Sequence, residues 1–325
     1  MLCDEDCTGL FVKGKHMKAL VIGGCGFIGS HVVDRLLRQG HQVRIFDRHE
    51  ENFRLALPGV DYRIGDFTDK SAIADAVQGV DVVFHFVSTT FPSTASLDPQ
   101  RDVQENLIGT QQLVKVMLEA GVTRLLFLSS GGTVYGIPER TPIPETHPLR
   151  PISAYGITKT AIEHNLEMFR RTAGLRPIVV RASNPFGPRQ SHVGVQGVVS
   201  TFLNRIANGE PIEIWGDGSV IRDYIDVQDL ADFCALAGTS DKGGTYNAGS
   251  GRGTSLADLL AAMEKVTERE IALEFKPARA IDVLVSVLDC SAAERDFGWK
   301  AERDLQRSLQ ATWNWILSLK PAAVL

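Results

Sequence analysis

The sequence predicts an α/β protein: a doubly wound parallel sheet followed by a smaller, mixed α/β lobe. Three observations predict it. Short apolar runs alternate with helically spaced apolar residues from Ala19 to Arg181, the pattern of repeated βα units. A glycine loop, Gly23-Gly24-Cys25-Gly26-Phe27-Ile28-Gly29, separates the first strand from the first helix. Beyond Asn184, glycine and proline become frequent, elements shorten and the alternation fades.

Ala19 to Ile22 reads as a buried strand. Ile28, Val32, Val33, Leu36 and Leu37 then recur at helical spacing until Gly40, and Val43 to Phe46 is the next strand. The two strands of this βαβ unit are expected to be parallel. The alternation continues with a strand at Tyr62–Ile64, a helix at Ser71–Val77, a strand at Val80–Val87 and a long helix at Val103–Ala120. It ends with strand Leu125–Ser129, helix Tyr155–Thr172 and strand Pro177–Arg181. In the second half, Gln196–Ala207, Val227–Leu236, Ser255–Val266 and Leu305–Leu317 read as helices, and Ile212–Trp215 and Ile271–Phe275 as strands. The chain divides into 1–16, 17–183 and 184–325: an extension expected to be disordered, a dinucleotide-binding domain and mainly a substrate lobe, segments of which are free to return to the first domain.

The chain of 325 residues is long enough to bury a large core. Its formal net charge of −5 gives no basic footprint for nucleic acid, and no apolar run is long enough to span a bilayer. The first sixteen residues hold Asp4, Glu5 and Asp6 and no apolar core, so they are not read as a secretory signal. Five scattered cysteines suggest reduced thiols in a cytoplasmic protein, and no metal site is expected.

Gly23, Gly26 and Gly29 have the spacing of a dinucleotide loop, in which backbone approaches pyrophosphate closely at the start of a helix. Asp47 follows the last glycine by 18 residues, at the end of the second strand. A carboxylate there suits the ribose hydroxyls of NAD and repels a 2′-phosphate. Arg48 beside it would instead favour NADP; NAD is the expected cofactor.

Tyr155 and Lys159 are spaced Tyr-x-x-x-Lys, one turn apart on one helix face. A free phenol, with a pKa of about 10, is a poor base at neutral pH. A nearby ammonium favours the phenolate, which can take a proton from an alcohol. Surface helices carry this spacing by chance; behind a glycine loop and a Ser-rich strand end it gains meaning.

Together, Gly-x-x-Gly-Phe-Ile-Gly, Ser129-Ser130-Gly131-Gly132-Thr133-Val134-Tyr135-Gly136, Tyr155-x-x-x-Lys159 and Arg222-Asp223-Tyr224-Ile225-Asp226-Val227 resemble the extended short-chain dehydrogenase/reductases, most closely the UDP-hexose 4-epimerases. The resemblance runs from Met17 to about Leu317. It implies a Rossmann domain with bound NAD, a Ser/Thr–Tyr–Lys set and a UDP-sugar held by the second lobe. Tyr155 would take the proton of the sugar 4-hydroxyl as C4 gives up hydride. The 4-keto sugar would turn over and regain hydride on its other face. Lys159 would lower the Tyr155 pKa and hold the nicotinamide ribose. The serine that the family often has four residues before the tyrosine of Val-Tyr-Gly is Gly131 here. Ser130 is assigned its role, with Thr133 as the alternate.

The same matching places Asp66 and Phe67 beside the adenine, and Phe86, Val87 and Ser88 along the pyrophosphate. It has Asn106 anchor a loop beneath the cofactor. A lysine common in the family near Thr90 is absent. On the sugar-nucleotide side, Asn184 would meet a diphosphate or sugar oxygen, Arg222 and Arg279 the pyrophosphate, and Asp282 the uridine ribose. Ser286 stands where epimerases restricted to plain UDP-glucose and UDP-galactose typically hold tyrosine. A small residue there would admit a 2-acetamido group, and so UDP-N-acetylglucosamine and UDP-N-acetylgalactosamine. A serine without any role in selectivity is the other reading. His85, inside an apolar strand, reads as a core histidine.

Gly131-Gly132-Thr133 lacks the carboxylates that nucleotide-sugar 4,6-dehydratases and UDP-glucuronate decarboxylases place near this segment. Uronate epimerases, 4-keto-sugar reductases and a non-catalytic NAD-binding protein stay open. The resemblance also implies a homodimer paired through Val103–Ala120 and Tyr155–Thr172, and a place in polysaccharide biosynthesis or galactose metabolism.

Overall fold

Strands apolar on both faces can be buried only between two layers of helix, and this determines the larger part of the fold. The computed structural model of the protein describes residues 16–90, 92–190, 197–277 and 283–319. Its first half contains β1 (Lys18–Ile22), α1 (Phe27–Arg38), β2 (Gln42–Asp47), β3 (Asp61–Ile64), α2 (Lys70–Val77) and β4 (Val82–His85). Then come α3 (Pro92–Ala95), α4 (Pro99–Asp102), a π-helical stretch at Val103–Ile108, α5 (Gly109–Glu119), β5 (Arg124–Ser130), α6 (Ala154–Ala173) and β6 (Arg176–Ala182).

The second half holds β7 (Asn184–Phe186), α7 (Val198–Asn208), β8 (Ile212–Trp215), β9 (Ile221–Asp226), α8 (Val227–Thr239) and β10 (Gly244–Ala248). It ends with β11 (Gly253–Ser255), α9 (Leu256–Thr267), β12 (Leu273–Lys276), β13 (Val285–Ser286), α10 (Ser291–Phe297) and α11 (Leu305–Ser318).

Seven parallel strands lie in the order β10-β6-β5-β4-β1-β2-β3. One face is covered by Val32 and Leu36 of α1 and Leu230 and Phe233 of α8. The other is covered by Ile73 of α2, Leu113 and Met117 of α5, and Ile162 and Leu166 of α6. The order reverses between β1 and β4, which opens a crevice at the carboxyl ends of the strands, where such sheets bind ligands.

Three segments beyond residue 184 return to this layer: β10, α8 and α10, whose Ala293 and Phe297 join the core on the α1–α8 face. β10 pairs with β6, Gly244 opposite Ile178 through Ala248 opposite Ala182, and α8 packs on α1. The remaining lobe carries a small sheet, β11-β9-β13 with β7 also on β9, and the β8–β12 pair. Helices α7, α9 and α11 close its core around Phe202, Leu203, Leu259, Met263 and Trp313.

The expected helix at Val103–Ala120 is longer and less regular. It starts at Pro99, where the Asp98 side chain accepts from the Arg101 amide (3.0 Å). It then widens into the π-helical stretch before α5 resumes. The longest helix on the sheet, α6, is bounded sharply. The Ser153 hydroxyl accepts from the Gly156 amide (3.2 Å), and Gly174 ends the helix in the left-handed region. No helix among the described residues is long and apolar enough to cross a membrane.

Candidate active site

The glycine loop is built for close approach. Gly23 sits at φ +84°, and a Cβ on Gly29 would lie 2.0 Å from the Gly23 carbonyl oxygen. The N-cap of α1 is Gly26, and no side chain caps the helix start, which leaves its first amides for an anion. At the end of β2, Asp47 Oδ2 accepts from the Cys25 amide (2.9 Å), so the acid braces the loop it follows. Arg48 pairs with Asp66 (2.9 Å), both partly exposed. Bonds from Thr68, and then the Arg48 charge, hold the Asp66 carboxyl below its usual range. Arg48 is thus engaged with an acid, consistent with NAD.

The other predicted cofactor residues divide into contacts and supports. The Phe86 amide donates to the Ile22 carbonyl (3.0 Å), and Val87 packs against Gly23. Phe67 is buried with its ring 4.9 Å from that of His85 and close to Gly109. Its ring is core, so contact with an adenine would fall to its backbone. Asn106 is buried, and its Oδ1 accepts from the Thr89 amide (3.0 Å), which ties the loop after β4 to the π-helical stretch. The Ser88 hydroxyl donates to the Thr90 carbonyl (2.9 Å) and is hydrogen-bonded to Tyr155. Ser88 therefore reaches the tyrosine end of the crevice as well as the pyrophosphate side. His85 is buried with Nε2 3.0 Å from the Thr110 hydroxyl, and burial pushes its pKa down to about 3, so it stays neutral.

A cavity of 370 Å³ lies between the start of α1, the ends of β5 and β6, and the second lobe. Ser130, Thr133, Tyr155 and Asn184 all line it, facing Val198 and Tyr224 from the lobe. Lys159, buried a turn beyond Tyr155, donates to the Leu128 carbonyl (3.0 Å); its Nζ is 5.5 Å from the centre of the Tyr155 ring. Burial lowers its pKa to about 8, opposed by the charges of Asp102 and Glu163. Burial likewise pushes the Tyr155 phenol up to about 12; its bond with Ser88 acts against this and the Asp102 charge adds to it. In this arrangement desolvation dominates the phenol, and Lys159 is not among the groups that act on it.

The hydroxyl partner is narrowed by sterics. A Cβ on Gly131 would meet Leu288 Cδ1 at 2.6 Å and the Arg181 carbonyl oxygen at 3.1 Å, so a side chain there requires a shift. Ser129 donates to Glu163, which also pairs with Arg181 (2.6 Å). Ser130 lines the cavity and its carbonyl accepts from the Thr133 and Val134 amides. Thr133 Oγ1 is buried with no hydrogen-bond partner among the described residues, a group that awaits one. Ser183 Oγ and Gln190 Oε1 on the same cavity are equally unpartnered; the sequence reading passed over both. Ser183, inside Ala182-Ser183-Asn184, was the more visible.

Asn184 donates to the Asp223 carbonyl (2.9 Å). Arg222 donates to the Ile221 carbonyl (2.9 Å) and lies opposite Ser286 in the β9–β13 register. Ser286 is buried in β13. Arg279 and Asp282 lie outside the described residues. A hydroxyl occupies Thr90, near the place of the absent lysine. It is buried and donates to Asp102. The loop with no room at Gly29, the open helix start, Asp47 and the unpartnered hydroxyls fit NAD.

Sheet, glycine loop and Tyr–Lys pair define a Rossmann-type enzyme of the extended short-chain dehydrogenase/reductase class. The model of the NAD dependent epimerase/dehydratase family matches residues 19–249. The chain belongs to that family. It is 34% identical over 308 residues to a UDP-glucose 4-epimerase of Mycolicibacterium smegmatis, covering 91% of this chain and 97% of the relative. The crystal structure of a Thermus thermophilus UDP-glucose 4-epimerase in complex with NAD superposes with a TM-score of 0.87 at 32% identity, over 94% of this chain and 100% of that one. A UDP-N-acetylglucosamine 4-epimerase from Methanobrevibacter ruminantium, in complex with UDP-N-acetylmuramic acid, gives 0.88 at 28%, over the same shares.

Proposed function

We propose that the protein is an NAD-dependent 4-epimerase of UDP-hexoses that works through a transient 4-keto sugar and accepts N-acetylhexosamines. The observation that carries this reading is the single cavity that joins Tyr155, Ser130 and Thr133 to Asn184 and the second lobe. Bound NAD supplies the hydride acceptor and donor at C4. Tyr155 Oη takes the 4-hydroxyl proton and returns it. Lys159 keeps a positive charge beside the phenol, and Ser130 or Thr133 hydrogen-bonds the reacting oxygen. Asn184, Arg222, Arg279 and Asp282 hold the nucleotide and leave the sugar free to turn over. The relatives named above act on UDP-glucose in two cases and on UDP-N-acetylglucosamine in the third.

The acetamido part of the reading rests on Ser286 and is tested by proton NMR of the purified protein, with no added cofactor, on UDP-N-acetylglucosamine and on UDP-glucose. The wild type is expected to equilibrate both. Ser286→Tyr is expected to lose the acetamido substrate selectively, and equal loss on both substrates would overturn the selectivity assignment.

The same reading includes a homodimer. Ile157 and Met168 on α6 are exposed at 56% and 45%, an apolar face that pairing with a second copy would cover. Light scattering at micromolar concentration is expected to give twice the 35.5 kDa of the chain, and the chain mass alone would contradict it.

A further inference from the structure

Asp102 is the last residue of α4, directly before the π-helical stretch, and is 1% exposed. Its Oδ1 accepts from the Thr90 hydroxyl and from Asn106 Nδ2 (2.8 Å), and its Oδ2 accepts from the Thr158 hydroxyl. Three donors converge on it, and none is charged. Thr90 and Asn106 belong to the loop after β4 and its support; Thr158 lies between Tyr155 and Lys159 on α6. The loop side also reaches the tyrosine directly, since Ser88 donates to the Thr90 carbonyl and is bonded to the phenol. Interrupted helices of this kind recur at functional sites.

We propose that Asp102 is a positioning residue for the Tyr155–Lys159 pair: its carboxylate clamps the catalytic turn of α6 to the loop after β4 and places a negative charge beside both groups. The proposal rests on the reading of Tyr155 as the base.

A carboxylate suits the place because both oxygens must accept. An asparagine would bring two N–H donors to a pocket whose three partners already donate. The titratable groups around it are few. Tyr155 and Lys159 feel its charge from α6, Glu163 and His85 act on or feel Lys159, and its own turn carries Arg101 and Glu105. Glu163 is neutralised by Arg181, and Arg101 by Glu105 (2.7 Å) at the surface. Of the groups around Lys159, Asp102 is therefore the acid with no cation paired to it. Its charge holds the buried lysine protonated against desolvation and opposes phenolate formation at Tyr155. Clamp and charge act together. The first fixes where the phenol and ammonium sit; the second raises the pH at which either gives up its proton.

The test is Asp102→Asn, read in two ways. In the pH profile of kcat, the limbs that report Tyr155 and Lys159 are both expected to move to lower pH. Independently of turnover, ultraviolet difference titration of the tyrosinate band, with Tyr155→Phe as the subtraction, is expected to show the Tyr155 phenol ionising at lower pH than in the wild type. Limbs and titration unmoved, with kcat merely reduced, would mean a structural tie only and overturn the proposal. If Asp102→Asn does not fold, Thr158→Val decides: it keeps the charge and cuts the clamp to α6. It is expected to lower kcat on the order of tenfold, with NAD retained, and wild-type kcat would overturn the proposal. Full turnover by Tyr155→Phe would refute the base assignment itself, whichever way the Asp102 variants behave.

Discussion

The two walls of the cavity are made differently. The cofactor wall is the carboxyl edge of one seven-stranded sheet, closed by a loop in which backbone touches backbone at Gly23 and Gly29. The opposite wall comes from short pieces: β7 has 3 residues, laid against β9, and Tyr224 of β9 and Val198 and Val199 of α7 complete it. On the first wall, the proposed recognition of the cofactor rests on backbone geometry. On the second, the proposed recognition of the substrate rests on side chains, which can be exchanged without moving the sheet.

The sharpest break should come from Gly29→Ala. Its Cβ has no room, so stability is expected to fall on the order of 3 kcal/mol and the purified protein to carry no NAD. Protein that still copurifies with NAD, by absorbance and chromatography of the released cofactor, would contradict the close approach. Tyr155→Phe acts where the walls meet. It is expected to lower kcat roughly 10²- to 10⁴-fold while NAD and UDP-sugar binding persist.

Asn184→Ala tests the substrate wall alone. It is expected to raise KM for the UDP-sugar on the order of tenfold with NAD content unchanged; loss of NAD would mean the two walls are not separable.

The smallest effect concerns the join between the walls. His31 of α1 sits with Nε2 3.0 Å from the Pro188 carbonyl, and burial pushes its pKa down to about 4. The folded state thus keeps His31 neutral while the unfolded chain binds a proton below the ordinary value near 6.5. Stability is therefore expected to decline as pH falls from about 6.5 towards 4. Urea midpoints across this range should show a shallower decline for His31→Gln, and an unchanged slope would remove His31 from the account.

The cofactor wall was the more legible. Runs such as Lys18–Ile22 and Val82–His85 are apolar because both faces are buried, and Ser153 and Gly174 mark α6 by local rules. The π-helical stretch was not legible, since Val103–Ile108 has ordinary helical spacing, and the contacts of Asp102 and Asn106 with the loop at Thr89 and Thr90 are not local in sequence. Asp102 itself bonds residues 12 and 56 positions away, a relation no local pattern contains. Strand β9 hid behind its polar residues. Asp223 in its middle is fully buried because the Ser250, Gly251 and Leu288 amides converge on it. Phe67 was aligned with the adenine by motif, whereas packing against His85 and Gly109 claims its ring.

The central claim is that the hydrogen leaving sugar C4 returns to the same carbon on its other face. It is tested most directly with UDP-glucose deuterated at C4, followed by NMR and mass spectrometry in ordinary water with no cofactor added. The account predicts that both epimers form and that each keeps its deuterium throughout the approach to equilibrium. Epimers that form with deuterium lost to solvent would contradict it, because the proton at C4 would then have been abstracted and not carried as hydride.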